Sequence, residues 1–234
     1  MPTLERQGKV FLLDLGSDEN RWTPTWMESF GEHLDRIESS PGARALVTLA
    51  SGKYWSTGLD LAWLEANPKE TRPIGRLFLE LLARMLTLPV PCVAAIQGHA
   101  VGAGAMLAIA HDFRVMSSER GRLWFPEVDL HLSFTDGVSA LIQAKLSPPA
   151  AHRSMLTGHR WSAVEAHAAG IVDAVATSDQ VTTTALDLAT SLAAKDGGTL
   201  GAIKRRMYAN EHSALLDDAA AVARGDSVGD WTDV

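Results

Sequence analysis

The stretch from Pro89 to Glu127 constrains the fold of this chain more than any other. Pro91-Cys92-Val93-Ala94-Ala95-Ile96 is a short apolar run lying just beyond Pro89, and it reads as a buried strand. Gln97-Gly98-His99-Ala100-Val101-Gly102-Ala103-Gly104 follows as a glycine-rich turn, and a helix begins near Gly102. Small residues at such a junction let strand and helix pack closely. The same geometry aims backbone N–H groups at one point, where they can hold a developing negative charge. Close packing alone explains the turn well, but it explains less well the carboxylate of Pro126-Glu127-Val128. A charge trap with one nearby carboxylate suggests enolate chemistry.

Around this stretch, strands alternate with helices. Lys9 to Leu15, Ala45 to Ala50, Val93 to Gln97 and Phe113 to Met116 read as strands, and Ile171 to Val175 as a short last one. Thr23-Pro24 reads as an N-cap with proline at the first helical position, and Met27, Phe30, Leu34 and Ile37 follow at helical spacing. Leu77, Leu81, Leu82 and Met85 form one stripe of a helix over Pro73 to Leu88. Ser51 to Gly58 is a loop. Ser162-Ala163-Val164-Glu165 is a capping box, and Gly170 stands where a C-cap glycine belongs. Ser178 to about Ala223 is expected to form further helices, with a loose polar tail from Gly225. The pattern predicts an α/β fold with a helical region at its C-terminal end.

Composition narrows the function classes. At 234 residues and 46% hydrophobic, the chain can bury one sizeable core. A net charge of −7 argues against nucleic-acid binding. Cys92 is the only cysteine, which excludes an internal disulfide and fits a reducing compartment. The N-terminus lacks a signal pattern, Thr232-Asp233-Val234 matches no peroxisomal or prenylation signal, and no apolar run approaches the ~20 residues of a membrane span. A cytoplasmic enzyme is therefore expected, with no membrane partner. The glycines at 98, 102 and 104 lie too deep in the chain for a dinucleotide fingerprint, and no phosphate loop, G-x-S-x-G elbow or metal-ligand spacing occurs.

Two segments together resemble the crotonase superfamily, also called the enoyl-CoA hydratase/isomerase family. They are Tyr54-Trp55-Ser56-Thr57-Gly58-Leu59-Asp60-Leu61 and Ala94 to Gly104. His111-Asp112-Phe113-Arg114, Phe125-Pro126-Glu127-Val128 and Leu156-Thr157-Gly158 through Val172 support them in the same order. The resemblance implies a crotonase fold of repeated β-β-α units, with a core over residues 1–175 and a C-terminal helical region over 176–234 serving trimerisation and active-site cover. It implies an acyl-CoA substrate, no cofactor beyond the CoA of that substrate, and a homotrimer or dimer of trimers.

Carried over residue by residue, the resemblance makes the backbone N–H groups of Leu59 and Ala103 the donors to the thioester oxygen. Ser56, Thr57, Gly58, Asp60, Gly102, Gly104 and Met106 are implied to bind substrate. Hydratases of the family resemble one another in having two glutamates. Here the first position is Met106, which transfers no proton, and the second is Glu127. A single carboxylate suits a shuttle that takes a proton from one carbon and returns it to another, as in a Δ3,Δ2-enoyl-CoA isomerase. Other reactions of the family and a non-catalytic acyl-CoA-binding scaffold stay open on sequence alone. Asp136 is most simply a helix N-cap. Lys53, Lys204, Arg205 and Arg206 suit either CoA phosphates or a solvated face, and Trp22, Trp26, Trp55 and Trp63 either an acyl tunnel or the core.

Overall fold

Alternation along the central strand dictates the layering. Val93 and Ala95 face one way, Cys92, Ala94 and Ile96 the other, and all five are buried. A strand with two apolar faces must be covered on both sides. The computed structural model, which describes residues 1–228, shows how this is met. Most of the polar tail expected from Gly225, including Thr232-Asp233-Val234, lies outside the described residues.

The elements run β1 (Thr3–Gln7), β2 (Val10–Asp14), β3 (Arg21–Trp22), α1 (Pro24–Ser39), β4 (Ala45–Leu49), β5 (Tyr54–Ser56), β6 (Gly58–Leu59), α2 (Leu61–Ala66), α3 (Thr71–Leu86), β7 (Cys92–Ile96), β8 (His99–Val101) and α4 (Ala103–Ala110). They continue with β9 (Phe113–Ser117), β10 (Leu123–Trp124), α5 (Asp136–Lys145), α6 (Pro148–Thr157), α7 (Ala163–Ala168), β11 (Ala174–Ala176), α8 (Val181–Leu192), α9 (Gly197–Met207) and α10 (Ala209–Arg224). The main sheet has the order β1-β2-β4-β7-β9-β11, parallel except for the β1–β2 hairpin. A smaller parallel sheet has the order β10-β8-β5.

The units repeat. β4, β7 and β9 each lie in the main sheet, and each is followed by a strand of the small sheet, β5, β8 or β10, before the chain turns helical. Two apolar clusters result. Val47, Val93, Ala95 and Val115 meet Val181, Ala185 and Ala189 of α8 on one face. Leu46, Ala94, Ile96 and Met116 join α1, α3 and α4 on the other.

The expected caps are present: Thr23 Oγ1 accepts from the Trp26 N–H, and Ser162 and Glu165 form the capping box. The first arm of the N-terminal hairpin, Thr3–Gln7, carried no apolar signal because it is a mostly exposed edge strand. β5, β6 and β8 lie inside segments that read as loop and turn, since strands of two or three residues are too short to show a period. The last strand sits at Ala174–Ala176, a few residues beyond the expected start at Ile171. Trp22, Trp26 and Trp55 are core residues at 0%, 3% and 0% exposure. Lys204 is neither solvated nor available to phosphate. It is buried, donating to Leu88 O, Val90 O and Asp112 Oδ2 at 2.8, 3.0 and 2.7 Å.

Gly104 marks the tightest approach of the small sheet to α4: a Cβ there would stand 2.3 Å from Ser56 O. Gly104→Ala is expected to lower the unfolding free energy by about 1–3 kcal/mol, the usual cost of overpacking a tight core. Urea denaturation measures this, and an unchanged midpoint would refute the contact.

Candidate functional site

The loop before β6 is fixed by hydrogen bonds that leave little freedom. Asn20 Nδ2 donates to Trp55 O at 3.0 Å. The Ser56 hydroxyl donates to Asn20 O and accepts from Trp22 Nε1, each at 2.9 Å, and accepts from the Gly58 N–H at 3.0 Å. Ser56 is wholly buried and its hydroxyl is fully engaged, so it braces the loop from behind. Gly58 has φ +77°, and a Cβ on it would lie 2.7 Å from Ala103 Cβ and 2.9 Å from the Ala103 nitrogen. The two glycine segments therefore meet backbone to backbone.

This contact sets the Gly58–Leu59 strand beside the start of α4. The Asp60 N–H donates to Trp22 O at 3.2 Å, toward β3. Strand alternation sends the N–H of Leu59 to the opposite edge. Ala103 is the first residue of α4, and its N–H has no acceptor within the helix. Leu59 and Ala103 both line a cavity of about 420 Å³. The positive end of the α4 dipole adds to the field there.

Glu127 stands in the same cavity, after Pro126. A one-turn coil holds it: the Leu130 and Leu132 N–H groups donate to Glu127 O at 3.1 and 2.9 Å, with His131 between them at φ +58°. Its Oε1 lies 3.4 Å from the position a Cβ on Gly102 would take, so the carboxylate abuts the turn that begins α4. Its Oε2 is buried without a hydrogen-bond partner among the described residues. Burial pushes the carboxyl up to about 7, against an opposing pull from its own backbone N–H. The environment is that of a base poised near neutrality.

Of the residues expected at the site, Thr57, Leu59, Gly102, Ala103, Met106 and Glu127 line the cavity. Ser56, Gly58, Asp60 and Gly104 stand behind it. Asp60 caps α2 by accepting the Trp63 N–H at 3.2 Å, and pairs with Arg21 at 3.3 Å. Asp136 is exposed and is the first residue of α5. The cap is Thr135, whose hydroxyl accepts the Val138 N–H at 3.2 Å, so the expectation for Asp136 is corrected by one residue. His99 packs between the rings of Tyr54 and Trp124. Burial, then Lys53, Arg122 and Arg160, hold its imidazole below the usual range.

The sequence reading did not single out Phe78, Leu132, Phe134, Val138, Arg21 and Arg160 as cavity residues. Phe78 and Val138 carry only the apolar pattern of ordinary core helices. Leu132 and Phe134 sit in an irregular segment with no period to read. No group of three or more His, Cys, Asp or Glu side chains among the described residues is placed to hold a metal.

The raised carboxyl of Glu127 has a stability consequence of definite sign. The folded state holds this proton from the ordinary carboxylate range up to about 7, while the unfolded chain has released it. Stability is therefore lost as pH rises through that window. Glu127→Gln removes the loss. The variant is expected to match the parent near pH 4 and to exceed it at pH 8 by on the order of 1–3 kcal/mol. Denaturation at both pH values measures this, and a variant less stable at pH 8 would refute the buried, unpaired carboxylate.

Known proteins resemble this chain to varying depth. The chain is 38% identical over 221 residues to enoyl-CoA delta isomerase 2, peroxisomal, of Arabidopsis thaliana, covering 89% of this chain and 92% of that protein. It is 37% identical over 219 residues to enoyl-CoA delta isomerase 3 of the same plant, again with 89% and 92% covered. The solved structure of human mitochondrial Δ3-Δ2-enoyl-CoA isomerase superposes with a TM-score of 0.86 at 22% identity, covering 95% of this chain and 89% of that one. An enoyl-CoA hydratase from Mycobacterium marinum gives 0.86 at 23% identity, covering 97% and 99%. At such identities the two structures establish the crotonase fold. Residues 6–224 match the family described as enoyl-CoA hydratase/isomerase, and the chain belongs to that family.

Proposed function

We propose that this chain is an enoyl-CoA isomerase that moves a double bond from C3 to C2 by a proton shuttle on Glu127. The observation that carries the reading is the pairing of one buried carboxylate with Met106. Both line the cavity, and the resemblance makes Met106 the counterpart of the first of the two glutamates of the hydratases. The plant relatives named as delta isomerases support the same reaction class.

In this reading the thioester oxygen of a 3-enoyl-CoA lies between the N–H groups of Leu59 and Ala103. Glu127 takes a proton from C2. The electron pair left at C2 delocalises through the C3–C4 double bond and onto the thioester oxygen as a dienolate. The N–H groups and the α4 dipole stabilise that charge, and each aligned donor is worth about 3–4 kcal/mol in the transition state. The protonated Glu127 then delivers the proton to C4, forming the C2–C3 double bond and regenerating the carboxylate. The apolar wall of Phe78, Met106, Leu132 and Phe134 holds the acyl chain and keeps water from the dienolate. The CoA of the substrate is the only group the cycle uses.

The test is an assay of the purified protein with 3-hexenoyl-CoA, following formation of the 2-trans isomer. Glu127→Gln is expected to lower kcat by about 10²–10⁴-fold, the usual contribution of a positioned acid–base group. In the parent, kcat/KM should rise through a single inflection near 7, set by the buried carboxyl, and then level off, because one group does both transfers. Tight CoA binding without turnover would favour a binding scaffold instead. Hydration of 2-enoyl-CoA at a comparable rate would contradict the single-base reading.

A further inference from the structure

Helix α4 has an unusual problem of placement. Its eight residues, Ala-Gly-Ala-Met-Leu-Ala-Ile-Ala, are all buried, and none carries a side-chain donor or a strong acceptor. Apolar packing, including that of the larger Met106, Leu107 and Ile109, supplies no directional bond along the axis of the helix. Yet the proposed function depends on where the first N–H of α4 stands relative to Leu59 and Glu127. The hydrogen bonds that hold that position from outside the helix fall at its ends.

The far end is anchored by side chains from outside the helix. His111 Nδ1 donates to Leu107 O at 2.8 Å, while Thr48 Oγ1 bonds Nε2 at 2.8 Å. Burial holds that imidazole down at about 4, so it stays neutral. Arg114 Nη1 donates to Ile109 O at 3.3 Å and to His111 O at 3.0 Å. Lys145, the last residue of α5, donates to His111 O at 2.9 Å. Its ammonium also lies 3.4 Å from the hydroxyl of Tyr208, at the junction of α9 and α10. Cations at the carbonyl end of a helix are favourable in themselves. Here the one on α5 ties the end of α4 to the junction of α9 and α10. The other end of α5 bears Val138, which lines the cavity.

We propose that Lys145 is a positioning residue: braced by Tyr208, it fixes α4 along its axis and so sets the Ala103 N–H where the thioester oxygen needs it. The inference rests on the proposed anion trap of Leu59 and Ala103. Lys145 touches neither cavity nor substrate, and its effect is transmitted through α4. Misplacement of a reacting group by about 1 Å can cost ~10²-fold in rate.

Lys204 supplies the control. It is also a buried lysine, it donates to Leu88 O, Val90 O and Asp112 Oδ2, and it makes no hydrogen bond to the carbonyl of His111, the residue that ends α4. Burial pushes the Lys145 ammonium down to about 8, so the comparison is made at pH 7, where it is charged. Lys145→Met is expected to lower kcat by at least ~10-fold with KM within ~3-fold of the parent. Lys204→Met is expected to lose stability but keep the parent kcat, and Lys145→Arg to recover part of the rate. Tyr208→Phe, which removes only the hydroxyl, should shift kcat in the same direction by less and serves if Lys145→Met does not fold. A second readout is the infrared carbonyl stretch of bound 2-trans-hexenoyl-CoA, ¹³C-labelled at C1. The parent should lower its frequency relative to free substrate, and Lys145→Met should lower it less. A parent with no such shift overturns the anion trap, and this inference with it. A parent with the shift, kept in full by Lys145→Met or Tyr208→Phe together with the parent kcat, overturns this inference alone.

Discussion

The structure depends on one close approach of backbone to backbone. The edge of the β5–β6 segment lies against the first turn of α4, where a Cβ on Gly104 would stand 2.3 Å from Ser56 O and one on Gly58 would stand 2.9 Å from the Ala103 nitrogen. A further side chain at Gly58 or Gly104 has no room in this seam, and the proposed site draws on the backbone N–H groups beside it. In the proposed function, residues that look chemically idle, Leu59 and Ala103, therefore carry more than the serine and threonine beside them. The Ser56 hydroxyl, with Nδ2 and the carbonyl of Asn20, holds the loop of this seam in place.

The second constraint is electrostatic. Glu127 is half-buried, its carboxylate set among apolar side chains of the cavity, with Oε2 buried and unpaired among the described residues. A structural carboxylate would normally find a partner. An unpaired one costs stability, and it persists where the surrounding fold over-determines its place. Here the coil Pro126–Leu132 does so through carbonyl Glu127 O, which accepts two N–H donors. The same burial that costs stability raises the carboxyl to about 7, where it can both take and return a proton. Structure and proposed chemistry thus share one physical cause.

Much of this was legible in the sequence because the central strands are covered on both faces. Cys92–Ile96 is apolar throughout, and the glycine turn after it announces a helix start. The resemblance of two loops in order supplied the pairing of Leu59 with Ala103, which no local pattern could give. What stayed hidden has physical reasons. Thr3–Gln7 is an exposed edge strand with no apolar period. Lys204-Arg205-Arg206 looks like a solvated run, yet Lys204 turns inward to meet two carbonyls and Asp112. Lys145 reads as an ordinary C-terminal helix cation, and its reach to His111 O depends on how α5 crosses α4. The cavity wall at Leu132 and Phe134 belongs to an irregular segment whose burial only the fold determines.

The central claim is that one carboxylate carries the proton from C2 to C4. A single-turnover experiment with 3-hexenoyl-CoA deuterated at C2, run in ordinary water, tests it most directly. The account predicts that part of the deuterium appears at C4 of the 2-trans product, because Glu127 returns the proton it took from within a water-poor cavity. Product carrying only solvent hydrogen at C4, formed equally well by Glu127→Gln, would contradict it.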